Sequence, residues 1–246
     1  MPRVIVFDVN ETLLDLGALD LHFRRVFGAG GVRGEWFTQV IELAIVATAT
    51  NVYFDFAVVG DAALTMVAAR HGVALAADDR SEILRGMRAL PPHPDVRPAL
   101  NLLRDAGFRL ATLTNSNAEA AEAQLGHAGL RGYFEQVVSV ERVRRLKPAP
   151  EVYRMAAASL GVPVGGMRLV AAHAWDVTGA LRAGCAAAFV SRPGKVLDPL
   201  APRPDVVGPD LEAVAAKLVA VVRLAGSVTE MPPPTGANAR GTRRPA

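Results

Sequence analysis

From residue 96 onward the spacing of apolar residues switches back and forth between that of helices and that of short buried strands, and this alternation constrains the fold more than any other feature. Helices are predicted at 96–106, 118–128, 150–160, 176–183 and 211–224, and strands at 109–113, 136–139, 167–171 and 187–190. Turns bearing Gly107, Gly129 and Gly161 keep the connections short. A further four-residue apolar run, Val4-Ile5-Val6-Phe7, reads as a buried strand at the start of the chain. Strands separated by helices predict an α/β fold, a doubly wound, Rossmann-like parallel sheet covered on both faces. Right-handed crossovers then put most strand ends on one rim.

Residues 16–90 break this rhythm, because their apolar residues recur only at helical spacing. Leu19, Phe23, Val26 and Phe27 share one face, Trp36, Val40, Leu43 and Ala47 another, and Leu64, Val67 and Ala68 a third. This stretch is read as a helical insertion that ends at the helix-stopping cluster Pro91-Pro92-His93-Pro94. The expected organisation is a discontinuous core at 1–15 and 92–226, an inserted helical domain at 16–91, and a disordered tail at 227–246, where periodicity and apolar mass both fail. A hydrophobic content of 51% is ample for a well-buried core.

The formal charge of +3 is concentrated near the C-terminus, where Arg240, Arg243 and Arg244 outnumber Glu230. A body close to neutral argues against a nucleic-acid groove. No apolar run approaches the length needed to span a bilayer, so no membrane partner is expected. The single cysteine, Cys185, has no intrachain partner, and no signal-like segment opens the chain, so a cytoplasmic location is expected.

Four predicted strand ends carry polar groups: Asp8 with Thr12, then Thr114-Asn115-Ser116-Asn117, then Lys147, and finally His173-Ala174-Trp175-Asp176. The carboxyl ends of strands form the ligand crevice of an open α/β sheet, so topology can gather these segments at one place. There a carboxylate beside a lysine stays ionised, while hydroxyl and amide donors can hold an anion. Each residue also has a structural reading. Asp8 could form a turn, Thr114-Asn115 could cap the helix at 118, and Tyr153 could pack in the core or line the pocket. His173 could be a neutral imidazole bonded to a backbone carbonyl, and Trp36 and Phe37 could serve packing alone. Only three lysines occur, Lys147, Lys195 and Lys217, and Lys195 reads as a solvated loop charge. The remaining histidines lack metal-ligand spacing.

Together the four segments resemble the haloacid dehalogenase superfamily of hydrolases, and within it the type II 2-haloacid dehalogenases. Lys147-Pro148 followed by Val152-Tyr153, and Ala174-Trp175-Asp176 followed by Thr178-Gly179-Ala180, favour that branch. The resemblance implies that the helical insertion is a cap, that Asp8 is the nucleophile, and that Lys147, Asp176 and Thr12 complete the catalytic set. It further implies that Asn10, Thr114, Asn115, Phe37, Tyr153 and His173 contact a small carboxylate-bearing substrate, and that no metal or other cofactor is needed. An Asp8 oxygen would displace halide from C2 of a 2-haloalkanoic acid, and water would then hydrolyse the aspartyl ester. An L-2-haloacid, the (S) form, would thereby give the D-2-hydroxy acid. A homodimer formed through the cap is also implied.

The phosphatases of the same superfamily are the nearest alternative, but they place an aspartate two residues after the nucleophile to protonate the leaving alcohol. Here that residue is Asn10, and an amide cannot supply the proton. Departures from the dehalogenase pattern also stand out. Trp36 is followed by Phe37 where the resemblance calls for arginine, His173 replaces asparagine, and Ala171 replaces serine. Two readings follow: a retuned pocket with His173 as donor and Phe37 as apolar wall, or a weakly active or non-catalytic binding protein.

Overall fold

The computed structural model describes residues 2–29 and 31–229. Six strands form one parallel sheet: β1 (Val4–Phe7), β2 (Arg109–Thr114), β3 (Gln136–Ser139), β4 (Met167–Ala171), β5 (Ala186–Val190) and β6 (Val206–Gly208), in the spatial order β3-β2-β1-β4-β5-β6. The chain winds outward from β1 through β2 to β3, then returns to β4 beside β1 and winds the other way. Such a reversal opens a crevice at the carboxyl ends of β1 and β4, because the following loops diverge to opposite faces. All four residues of β1 are buried, which explains their unbroken apolar character.

Helices α5 (Val96–Asp105), α6 (Ala118–His127), α7 (Pro150–Ser159), α8 (Ala174–Ala183) and α9 (Leu211–Thr229) cover the sheet. Strand β6 was not foreseen, since Val206-Val207-Gly208 is too short to show a period after a proline-bearing loop. The last helix extends through Thr229, so residues 227–229 of the expected tail are helical. Residues 230–246 lie outside the described residues.

Between β1 and α5 stand α1 (Asp20–Phe27), α2 (Val32–Ala49), α3 (Phe56–Arg70) and α4 (Ala77–Gly86). They share an apolar centre in which the Phe23 and Trp36 rings lie 5.3 Å apart and the Trp36 Nε1–H donates to Gly60 O at 2.9 Å. The sequence reading identified three of these helical faces and missed α4, whose charged first turns bury only Ile83. Polar latches join the helices to the sheet side. Asn117 Nδ2 donates to Asp55 Oδ2 at 2.8 Å, Gln124 Nε2 to Met87 O at 2.7 Å, and Thr48 Oγ1 to Leu146 O at 3.2 Å. The last of these seats α2 beside the loop that presents Lys147. Among the described residues no helix is long and apolar enough to cross a membrane.

Candidate active site

Asp8 directly follows β1, and its N–H extends the sheet ladder to Val170 O at 3.1 Å. Its carboxylate therefore starts from a fully buried strand at the centre of the sheet. Thr12, fully buried, donates Oγ1–H to Asp8 Oδ2 at 2.7 Å and accepts the Ala172 N–H at 2.9 Å, tying the β1 and β4 loops together. Arg192 supports the same turn from behind, bonded to Thr12 O at 2.9 Å and to Asp95 at 2.7 Å.

Lys147 is 1% exposed, and its ammonium donates to Asp8 Oδ1 at 2.7 Å, Asp176 Oδ2 at 2.6 Å and Leu113 O at 3.1 Å. Three donors meet three acceptors, the arrangement a buried ammonium requires. Asn115 fixes the Lys147 backbone by accepting its N–H at 2.9 Å. Asp176, in the first turn of α8, has its second oxygen bonded to the Tyr153 hydroxyl at 2.6 Å. Tyr153, expected to contact substrate, is instead fully buried and reaches the site only through Asp176. It stands on the core face of α7, so its hydroxyl points at α8 rather than into open space.

His173 does not take the carbonyl-bonded role open to it in sequence. Its Nδ1 lies 3.1 Å from Asp8 Oδ2 and its Nε2 lies 2.9 Å from Glu11 Oε2, so both nitrogens meet carboxylates and no backbone carbonyl is involved. Its ring stacks against Phe37 (centroids 5.8 Å, 30°) and Trp175 (5.2 Å, 24°). Glu11 was not anticipated, and neither was the part played by Lys195, whose ammonium sits 2.6 Å from Glu11 Oε2 rather than in solvent. Arg33 of α2 approaches the other Glu11 oxygen at 3.6 Å. These contacts span up to 184 residues of chain, and no local pattern announces them.

Burial would raise the Asp8 carboxyl, but Lys147 and His173 outweigh it and hold the group far below the usual carboxylate range. The same contest leaves Glu11 at about 2, again against burial, through His173 and Lys195. For His173 burial works downward and the two carboxylates prevail, raising it. Lys147 is likewise raised by Asp176 and Asp8 despite burial. Asp176 moves up, chiefly through burial with a contribution from the Asp8 charge. Three carboxylates (Asp8, Glu11, Asp176) thus share one network with Lys147, His173, Lys195 and, at 3.6 Å from Glu11, Arg33.

Asp8, Lys147 and His173 border a small, narrow cavity. Asn10, Thr114 and Asn115 supply its other polar walls, and Phe37, Ile41, Phe56 and Trp175 its apolar ones. The amide oxygens of Asn10 and Asn115 accept from Gln124 Nε2 at 3.2 Å and Lys147 N, and Thr114 Oγ1 accepts Ser116 N–H at 3.2 Å. No partner within the protein takes the N–H groups of either amide or the Thr114 hydroxyl proton among the described residues, so these donors are available to a ligand. Of the residues read as site residues from sequence, all but Tyr153, Thr12 and Asp176 line this cavity, and Thr12 and Asp176 bond directly to residues that do. Thr12 acts from beneath Asp8. The cap of α6 is Asn117, which accepts Ala120 N–H at 2.8 Å, rather than Thr114 or Asn115. No group of three or more His, Cys, Asp or Glu among the described residues is arranged to hold a metal ion.

The chain that carries this cradle of Asp8, Lys147 and Asp176 is similar to known proteins. The profile of the haloacid dehalogenase-like hydrolases matches residues 2–184. An (S)-2-haloacid dehalogenase from Pseudomonas sp. (strain YL) is 30% identical over 212 residues, covering 85% of this chain and 91% of that protein. Haloacetate dehalogenase H-2 from Moraxella sp. (strain B) is 29% identical and spans 89% of this chain and 98% of its own. The solved L-2-haloacid dehalogenase of Xanthobacter autotrophicus superposes with a TM-score of 0.82 at 26% identity, over 91% of this chain and 99% of its own. A second structure of that enzyme, with chloropropionic acid covalently bound, aligns equally well at 25% identity. With its sheet order, the match to that profile and relatives aligned across most of its length, the chain belongs to the haloacid dehalogenase-like hydrolases.

Proposed function

We propose that the protein hydrolyses a 2-haloalkanoic acid, in its (S) form, to the 2-hydroxy acid through an ester on Asp8. The observation that carries this reading is the state of Asp8: a carboxylate kept ionised by Lys147, facing a small cavity with no second carboxylate at Asn10 to protonate an alcohol. Asp8 Oδ2 already accepts from Thr12 and His173, while Oδ1 accepts from Lys147 alone. Oδ1 therefore keeps a lone pair for attack on C2. Halide leaves with the bonding electron pair, and water then cleaves the ester at the Asp8 carbonyl carbon.

In this reading the substrate carboxylate takes hydrogen bonds from Asn10, Asn115 and Thr114, and Phe37, Ile41 and Phe56 surround its carbon chain. Lys147 offsets the charge passing through Asp8, and Asp176, oriented by Tyr153, holds Lys147 in line. Residues 16–91 act as a cap that excludes bulk water during displacement. No step in this scheme calls for a metal ion. The cytoplasm and a homodimer fit the same reading, with Ile45, Val46, Phe54, Val58 and Met66 exposed on the cap as contact candidates. Light scattering tests the dimer, and a monomeric mass contradicts it.

The activity is tested by halide release from (S)-2-chloropropionate with and without Mg²⁺, alongside phosphate release from p-nitrophenyl phosphate. Metal-independent halide release that D8N abolishes is expected. Magnesium-dependent phosphate release without halide release would overturn the assignment.

A further inference from the structure

Glu11 is one of three residues other than glycine in the left-handed region among the described residues, at φ 61°. A side chain there is uncommon and calls for a reason. Its Oε2 lies 2.9 Å from His173 Nε2, and the same oxygen accepts from Lys195 at 2.6 Å. The imidazole between Glu11 and Asp8 has an acidic acceptor at each nitrogen, so each nitrogen bears a proton and the ring is a cation. It keeps its plane because Phe37 and Trp175 stack against it.

Position relative to Asp8 decides what that charge can do. His173 touches Oδ2, the oxygen that also takes the Thr12 hydroxyl, whereas attack on C2 falls to Oδ1. Once Oδ1 is esterified, Oδ2 becomes the carbonyl oxygen, with two donors at 2.7 and 3.1 Å already in place. Preorganised donors at that range are what stabilise a tetrahedral oxyanion. We infer that His173 is a catalytic residue of ester hydrolysis, donating Nδ1–H to the Asp8 Oδ2 oxyanion, and that Glu11 is the positioning residue that holds it there.

This assignment rests on the Asp8 ester proposed above. Water oxygen bonds to the Asp8 carbonyl carbon while the C=O electron pair moves onto Oδ2, between His173 and Thr12. Collapse restores the carbonyl and breaks its bond to Oδ1, which leaves with the substrate carbon. One water proton ends on that alkoxide and the other passes to solvent. His173, with no free lone pair, is a donor throughout and not the base. The charged groups facing it are Asp8 and Glu11 from the β1 loop, Lys195 from the loop after β5, Asp176 and Lys147 beyond Trp175, and Arg33 of α2 through Glu11.

Rapid-quench single turnovers, with enzyme in excess over (S)-2-chloropropionate, separate the two halves of the reaction by following halide release and intact protein mass. In H173F, which keeps a ring between Phe37 and Trp175, the halide burst is expected to persist while ester hydrolysis slows by about 100-fold, so modified protein accumulates. H173Q, which keeps an N–H donor, should recover part of that loss. E11Q should slow hydrolysis about tenfold and move the alkaline fall of the hydrolysis rate to lower pH, because His173 then has one carboxylate fewer to hold its proton. Wild-type ester whose hydrolysis both H173F and E11Q leave unchanged, or an equal slowing of both halves without accumulation, overturns this inference alone. A wild-type protein that releases no halide and forms no adduct overturns the proposed function, and this inference with it.

Discussion

Lys147 Nζ lies 2.7 Å from Oδ1 of Asp8, and the two side chains are 1% and 8% exposed. An ion pair this deep cannot lose one partner to water. K147M leaves Asp8 and Asp176 as buried carboxylates with a donor missing from each. Breaking a buried pair costs about 3–5 kcal/mol, so K147M is expected to lower unfolding stability by that amount and to abolish halide release. Urea titration at neutral pH measures it. A loss below ~1 kcal/mol would mean that the pair is hydrated and the site more open than described.

Tyr153 acts one step away from the cavity. Y153F removes the hydroxyl from Asp176 Oδ1 and leaves that buried carboxylate oxygen without its donor. A stability loss of about 2 kcal/mol is expected, with kcat falling roughly tenfold and KM nearly unchanged. A large KM change with kcat preserved would instead place Tyr153 against substrate.

Gly179 marks how closely α8 approaches the Lys147 loop. A Cβ there would stand 2.6 Å from both Pro148 Cβ and the Tyr153 hydroxyl, and 3.0 Å from Pro148 O. Alanine in a helix interior normally stabilises by up to ~1 kcal/mol relative to glycine. Here G179A is expected to do the reverse, costing about 1–3 kcal/mol through overpacking and lowering activity by displacing Tyr153. Calorimetry fixes the sign, and a raised melting temperature would show that the α8 contact has room to spare.

Glu11 and His173 give stability opposite dependences on pH. The Glu11 carboxyl is held at about 2 against an ordinary 4.5, so its contribution is complete above pH 4.5 and disappears as pH falls toward 2. Linkage sets that contribution at on the order of 3 kcal/mol. The His173 value is raised above 6.5, so its contribution is complete below that pH and declines as pH rises through the folded-state value. Denaturant melts across pH should show E11Q with a flatter acid limb and H173F with a flatter alkaline limb. Wild-type slopes retained in both variants would contradict the network.

The sheet and the rim were readable because each depends on local pattern. Asp8, Thr114 and His173 sit at or just past the end of an apolar run, Lys147 lies in the loop that follows β3, and the strand order brings these segments together. Elements without a run of their own escaped notice. Strand β6 contributes three residues, and α4 buries a single side chain, so neither carries a period long enough to detect. The Glu11 and Lys195 pair escaped for another reason: a charge in a loop looks solvated until the fold supplies its partner. Tyr153 was undecided because helix periodicity shows that a face is buried, not which neighbour its hydroxyl meets.

The central claim is that an Asp8 oxygen becomes the hydroxyl oxygen of the product. A single turnover of (S)-2-chloropropionate in heavy-oxygen water, with enzyme in excess, tests it by peptide mass spectrometry. The label is expected in the Asp8 carboxylate and absent from the first-turnover hydroxy acid. Label found in that product, with Asp8 unlabelled, would mean that water attacks the substrate carbon directly and that no ester forms.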